Sequence, residues 1–95
     1  MIVSFRDKET ESVWQGRFSK KIKLPTELHH IARRKLRMLA SAPTIETLRE
    51  PPNNRLEQLK DSRRGQWSIR INDQWRICFK WENGGAFEVE IADYH

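Results

Sequence analysis

Residues 67–91, WSIRINDQWRICFKWENGGAFEVEI, alternate apolar and polar side chains in three runs, 67–71, 75–81 and 87–91. A period of two with aromatic and β-branched residues on one side is typical of strands that bury one face and leave the other polar. The intervening residues 72–74 and 83–85 are Asn, Asp, Gln and Gly, which favour turns. The sequence therefore predicts three antiparallel strands joined by two hairpins.

The parity of the first two runs sets their register. An odd loop over residues 72–74 pairs Ile71 with Trp75, and it places Arg70 directly opposite Arg76 on the polar face. Two cations in this arrangement destabilise a sheet unless something compensates them. One explanation is that an anion such as phosphate binds between the two guanidinium groups. The alternative is that both groups extend into water or pair with Asp93.

The same reasoning predicts the register of the second hairpin. Trp81 would pair with Phe87, so that Lys80 lies opposite Glu88 and Arg76 faces Ala92. Lys80 and Glu88 would then compensate each other, whereas the strand neighbours of Arg76 offer it no carboxylate. The predicted cation pair is therefore left uncompensated by the sheet.

The first half of the sequence favours a strand followed by helices. Residues 2–5 are typical of a strand, and residues 7–15 can form a helix that ends at Gly16. A longer helix is predicted after Pro25, with Thr26 as its N-cap and with an apolar stripe at helical spacing formed by Leu28, Ile31, Ala32, Leu36 and Leu39. Residues 44–50 can add a short helical turn. The prediction is one α+β domain over residues 1–95, with its N-terminal helices packed on one face of a mostly antiparallel sheet.

Charge is concentrated in one segment. The 95 residues carry a net charge of +5, yet residues 17–37 hold eight Lys or Arg and one Glu, a net charge of +7. The remainder is therefore slightly acidic, at −2. Such a patch favours a polyanionic partner, although a solvated helix face has the same pattern. The candidate phosphate-binding residues are Lys20, Lys21, Lys23, Arg33, Arg34, Arg37 and Arg70.

Metal, disulfide and membrane chemistry are not indicated. Cys78 is the single cysteine, and no CxxC or CxxH spacing surrounds it. His29 and His30 are adjacent on the predicted helix, where neighbours point in different directions, so we expect surface histidines and no metal site. Apolar stretches are too short for a signal peptide or a membrane helix, which favours the cytoplasm.

Residues capable of proton transfer close the sequence. Asp93, Tyr94 and His95 directly follow the last predicted strand. RNA can be cut without a metal if one group removes the 2′-hydroxyl proton, a second protonates the leaving oxygen, and cations stabilise the phosphorane. Arg70, Arg76 and Lys60 are the candidate cations for this reaction. The alternative for residues 93–95 is a frayed tail without a role.

Three segments resemble HigB toxins of the RelE superfamily: NRLEQLK at residues 54–60, RGQWSIRINDQWRICF at residues 64–79, and DYH at residues 93–95. The resemblance covers most of residues 53–95, and the first half agrees in its order of elements. It implies a RelE-like fold and a ribosome-dependent mRNA endonuclease without metal or organic cofactor. It also implies inhibition by a helix-turn-helix antitoxin, through which the protein would reach operator DNA.

The resemblance also implies roles for individual residues. Asp93, Tyr94 and His95 would be catalytic, Lys60 and Arg76 would stabilise phosphate, and the basic segment 17–37 would contact ribosomal RNA. Some members carry a histidine where this sequence has Glu57, so Glu57 is a further candidate. Two alternatives remain at this point: a ParE-like inhibitor of DNA gyrase, which would not require residues 93–95, and an inactive module that binds only an antitoxin and operator DNA.

Overall fold

A computed structural model describes residues 1–94 and confirms the predicted α+β architecture. The helices are α1 (Lys8–Trp14) and α2 (His29–Ser41), and the strands are β1 (Glu57–Gln58), β2 (Trp67–Arg70), β3 (Trp75–Glu82) and β4 (Gly85–Asp93). Short 3-10 turns lie at Thr26–Leu28, Ile45–Arg49, Pro52–Asn54 and Asp61–Arg63. No helix within residues 1–94 is both long and apolar enough to cross a membrane.

The strands form an antiparallel sheet in the order β1-β2-β3-β4, with α1 and α2 on one face. The predicted strand at residues 2–5 is present only as isolated parallel bridges, from Ile2 to Ala86 and from Phe5 to Val89. Backbone hydrogen bonds still tie this segment to the free edge of β4, for example from Val3 N to Ala86 O at 2.8 Å. The short β1, which the sequence did not predict, extends the sheet beyond β2.

The predicted register is correct for the first hairpin and partly wrong for the second. Arg70 pairs with Arg76 as expected, and Arg76 faces Ala92. Near the second turn, however, Phe87 pairs with Lys80 and not with Trp81. The turn is a two-residue connection with positive φ at both Asn83 (50°) and Gly84 (77°), the geometry that matches strand twist.

A β-bulge corrects the register farther along the second hairpin. Glu88 has a φ of +51° and lies where the pairing shifts by one residue. The extra residue explains why the predicted pairing fails beside the turn and holds at Arg76 and Ala92. The predicted neighbours Lys80 and Glu88 nevertheless form an ion pair at 2.7 Å.

Capping residues define where the helices begin. The Asp7 carboxylate accepts a hydrogen bond from Thr10 N at 2.7 Å and caps α1, which ends before Gly16 with its φ of +79°. The prediction that Thr26 caps the second helix is wrong. Thr26 is itself the first residue of a 3-10 turn that has no side-chain cap, and α2 starts at His29.

The core lies between α2 and the inner face of the sheet. Ala32, Leu36 and Leu39 are fully buried there, together with sheet residues that include Ile69, Ile77, Phe79 and Val89. His29 is also fully buried, so the expectation of a surface histidine is wrong at that position. Its Nε2 donates to the Leu24 carbonyl at 2.8 Å. His30 is exposed as expected and lies edge-on against the Phe18 ring.

Candidate active site

The sheet has an outer face, opposite the helices, which carries the candidate residues Arg70 and Arg76. Ser68, Arg70, Arg76, Cys78 and Ala92 alternate with core residues and therefore point to this side. Cys78 and Ala92 form a second apolar cluster with Leu59. This cluster anchors residues 57–60 against the outer face.

Arg76 is held in the middle of the outer face. Its Nε donates to Ser68 Oγ at 2.7 Å, and its Nη2 donates to the backbone carbonyl of Arg55 at 2.6 Å. A carboxylate oxygen of Glu57 lies 3.8 Å from Nη2. The side chain of Arg76 is only 11% exposed, so these contacts fix a guanidinium group that is mostly buried.

Arg70 has its own partner. Its Nη2 donates to the Asp73 carboxylate in the turn between β2 and β3. The sequence prediction that the Arg70–Arg76 pair lacks compensation therefore needs correction: Asp73 neutralises Arg70, while Glu57 and two oxygen acceptors satisfy Arg76. Pairing with neighbouring groups of the protein relieves the repulsion between the two guanidinium groups.

The structure brings Glu57 to Arg76 and places Lys60 on the adjoining loop. Glu57 lies opposite Ser68 in the pairing of β1 with β2. Lys60 is exposed, and it immediately follows Leu59 of the apolar cluster. It borders a cleft of about 500 Å³ together with residues that include Asp61 and Arg64. An ammonium group on this loop is accessible to a polyanion.

Asp93 and Tyr94 diverge at the end of β4. Asp93 lies opposite Trp75, and Trp75 faces the core, so strand alternation directs Asp93 to the helix side of the sheet. Its carboxylate accepts a hydrogen bond from Gln74 Nε2 at 3.2 Å. Tyr94 is 37% exposed, and its backbone N–H donates to the Gln74 carbonyl at 2.5 Å. His95, the remaining candidate of this group, lies outside the described residues.

Arg63 connects the Lys60 loop to β4 and lies close to Tyr94. Its Nη1 donates to Glu90 at 2.8 Å and to Gln66 at 3.2 Å. The hydrogen bond to Glu90 raises the pKa of Arg63 above its ordinary value, and the nearby Cys78 and Tyr94 act in the same direction. Burial raises the pKa of the Cys78 thiol, which is therefore not an activated nucleophile.

A groove of about 830 Å³ runs along the C-terminal end of β4. Its walls come from α1, the loop before α2, the turn Asp61–Arg63, the start of β3 and β4. They include Lys8, Lys23, Arg63, Trp75 and Asp93. Both carboxylates and cations line it. No three His, Cys, Asp or Glu side chains within residues 1–94 come together as a metal-binding group.

The basic segment divides into exposed and structural cations. Lys20, Lys21 and Lys23 are exposed in the loop after α1, and Arg34 and Arg37 are exposed on α2. Arg33 is different, since its Nε donates to the Trp14 carbonyl at 3.1 Å and its guanidinium packs over Gly16. Arg33 therefore joins α2 to the end of α1, whereas the other five cations face solvent.

Sequence reasoning missed a buried polar group that supports the outer face. Lys35 is 5% exposed, and its ammonium donates to the side-chain oxygen of the fully buried Asn54. Burial lowers the pKa of Lys35, and the nearby Arg34 and Arg70 lower it further. A signal was present, because Lys35 has helical spacing with Ala32 and Leu39 on the apolar stripe.

Comparison with known proteins gives a consistent result. A family model described as a RelE-like toxin of the type II toxin–antitoxin system HigB matches residues 3–95. Toxin HigB-1 of Vibrio cholerae serotype O1 is 35% identical over 91 residues, which cover 96% of this chain and 95% of that protein. Endoribonuclease HigB of Proteus vulgaris is 44% identical over 41 residues, covering 43% of this chain and 45% of that protein.

Solved structures share the fold. The YoeB–YefM complex from Staphylococcus aureus matches with a TM-score of 0.62 and 17% identity, covering 100% of this chain and 98% of that chain. A mutant of YafQ from E. coli matches with a TM-score of 0.56 and 14% identity, covering 98% of this chain and 93% of that chain. At these identities the likeness concerns the backbone architecture.

Proposed function

The chain belongs to the HigB-like family of RelE-like toxins from type II toxin–antitoxin systems, and we propose that it is an endoribonuclease that cuts messenger RNA on the ribosome. A relative that matches part of the chain carries the name Endoribonuclease HigB. The observation that carries the proposal is the fixed guanidinium of Arg76 on the outer face. Protein acceptors set its orientation, and 11% of its side chain stays exposed, which is the part that would donate to a phosphate oxygen.

The proposed reaction is attack of a 2′-hydroxyl on the adjacent phosphorus. A base removes the hydroxyl proton, the new P–O bond forms, and the bond to the 5′-oxygen breaks as an acid protonates that oxygen. The products are a 2′,3′-cyclic phosphate and a 5′-hydroxyl. Arg76 and Lys60 stabilise the charge that develops on the phosphorane, and Tyr94 and His95 supply proton transfer.

The geometry suggests a different role for Asp93 from that of the other candidates. Its carboxylate faces the helix side of the sheet, where Gln74 donates to it. In this position Asp93 helps to hold the end of β4, whereas Arg76 lies on the outer face. Glu57, 3.8 Å from Arg76, holds that arginine in place until RNA arrives.

The proposed partners follow from charge and from the family. The exposed cations Lys20, Lys21, Lys23, Arg34 and Arg37 contact ribosomal RNA. A helix-turn-helix antitoxin of the HigA type neutralises the toxin and links it to operator DNA. Because the proposed target is the ribosome, we also propose that the protein acts in the cytoplasm.

Primer extension on a defined mRNA in a reconstituted translation reaction tests this proposal. We expect cuts only when ribosomes are present, and we expect deletion of residues 93–95 to remove them while the variant still folds. Naked RNA with the intact protein is the control, and any purification tag stays at the N-terminus. If the folded, growth-inhibiting protein makes no cuts in either setting, the nuclease assignment is wrong and gyrase becomes the next target to assay.

A further inference from the structure

Arg76 is oriented by acceptors from two different segments. Ser68 in β2 is fully buried, and its hydroxyl accepts from Nε. The Arg55 carbonyl, in the loop before β1, accepts from Nη2. A guanidinium group is planar and has five N–H donors. Contacts on Nε and Nη2 fix its plane and direct the remaining donor nitrogen, Nη1, independently of any bound RNA.

The Arg55 carbonyl depends on an unusual backbone. Arg55 adopts the left-handed conformation, with φ of 44° and ψ of 55°, and it closes the 3-10 turn Pro52–Asn54 through a hydrogen bond from its N–H to the Pro52 carbonyl at 3.1 Å. Its own side chain is exposed. The contribution of residue 55 to the outer face is therefore its peptide oxygen.

Asn54 fixes this turn to the rest of the fold. Its amide nitrogen donates to the carbonyls of Leu48 and Glu50, each at 3.2 Å, and its oxygen accepts from the buried Lys35 ammonium on α2. The hydrogen bonds of Asn54, the peptide bond from Asn54 to Arg55 and the hydrogen bond from Arg76 to the Arg55 carbonyl thus connect the core helix to Arg76. The hydrogen bonds of Asn54 to Lys35 and to the Leu48 carbonyl are buried, so loss of the Asn54 side chain would leave buried partners unsatisfied.

We propose that Ser68 and the Arg55 carbonyl are the positioning groups of Arg76, and that the Lys35–Asn54 hydrogen bond holds the loop that carries this carbonyl. The inference rests on the proposed function, in which Arg76 contacts the scissile phosphate. An arginine that is already oriented loses little conformational freedom when the phosphorane forms. The Ser68 hydroxyl and the Arg55 carbonyl therefore raise the rate of cleavage more than they raise the affinity for the ribosome.

A double-mutant cycle between Ser68 and Arg76 tests the first part. Cleavage is measured under single-turnover conditions on ribosomal complexes, as a maximal rate and a half-saturating concentration. We expect Ser68→Ala to lower the maximal rate about tenfold, equivalent to about 1.4 kcal/mol of transition-state stabilisation, without changing the half-saturating concentration. In an Arg76→Ala background, Ser68→Ala should cause no further loss.

Ser4→Ala is the matched control for the cycle. The Ser4 hydroxyl also accepts a hydrogen bond within the sheet, from Glu88 N at 2.9 Å, but it lies on the other edge. It should leave the maximal rate unchanged. If Ser68→Ala slows cleavage by the same factor with and without Arg76, the positioning role is wrong. If Arg76→Ala itself cleaves normally, both this inference and the proposed role of Arg76 fail.

Substitutions of Arg55 test the second part, because charge and backbone conformation can be separated there. Arg55→Asn and Arg55→Val both remove the cation, but only asparagine readily adopts the left-handed conformation. We expect Arg55→Asn to keep the maximal rate and Arg55→Val to lower it about tenfold in a protein that circular dichroism shows to be folded. Equal losses in the two variants would assign the effect to the arginine side chain and overturn the role of the carbonyl.

Discussion

At the scale of single residues, Lys35 is the least expected group in the molecule. Its ammonium is buried beside Asn54, and the cations Arg34 and Arg70 lie near enough to lower its pKa. The sequence placed Lys35 on the apolar stripe of a helix, but it did not indicate which side chain would accept a hydrogen bond from its ammonium group. Asn54 follows two prolines in a loop, and only the folded chain brings that loop to α2.

The lowered pKa of Lys35 predicts a pH dependence of stability. Between the folded-state pKa and the ordinary value of 10.5, the unfolded chain binds the lysine proton more strongly than the native state does. The free energy of unfolding should therefore rise with pH through this alkaline window. Urea titrations should show a weaker rise for Lys35→Met than for the native protein. The exposed Lys21→Met is the matched control and should retain the full rise.

At the scale of secondary structure, strand parity already separates Asp93 from Arg76. The alternation that packs Ile91 against the core also places Asp93 on the helix side. The sequence already contained this argument against the alternative in which Asp93 pairs with Arg70 and Arg76. The bulge at Glu88 could not be predicted from the sequence, because a positive φ at a glutamate does not change the pattern of apolar residues. The left-handed turn at Arg55 was hidden for the same reason.

Substitutions of the two neighbouring arginines of α2, Arg33 and Arg34, should distinguish a structural role from a binding role. Arg33→Met removes the hydrogen bond to the Trp14 carbonyl at the end of α1 and should lower the free energy of unfolding by about 1 kcal/mol. Arg34→Met removes an exposed cation and should stay within about 0.5 kcal/mol of the native protein. In ribosome binding the order should reverse, with Arg34→Met the weaker binder. Equal stability of the two variants, measured by urea denaturation, would contradict the assignment of Arg33.

At the scale of the whole molecule, the proposed binding surface and the proposed catalytic surface use different charges. The exposed lysines belong to the loop after α1, whereas Arg70 and Arg76 belong to the outer face and already have protein partners. The net charge of +7 over residues 17–37 was visible in the sequence, and so was the order of elements. The sequence did not show that Arg33 and Lys35 are not part of the exposed basic surface, because they donate hydrogen bonds to Trp14 and Asn54.

This division predicts that binding and cleavage can be altered independently. Replacing Lys20, Lys21 and Lys23 with glutamine should weaken ribosome association, and the slope of log affinity against log salt should flatten by roughly 0.7 to 0.9 for each phosphate that is no longer neutralised. The maximal cleavage rate at saturating ribosomes should remain that of the native protein. An unchanged salt slope would show that these lysines are only solvated.

The pairing of the first residues with β4 has a consequence for folding order. Hydrogen bonds from Met1 to Gly84 and from Glu88 to Ser4 join positions 83 and 84 residues apart. Closing so long a loop is costly until the local hairpins exist, so we expect this segment to dock last and to detach first. While it is detached, β4 exposes unpaired backbone groups that can recruit a second chain. Concentrated refolding should therefore lose material to aggregation at this final step, and dilution should restore the yield.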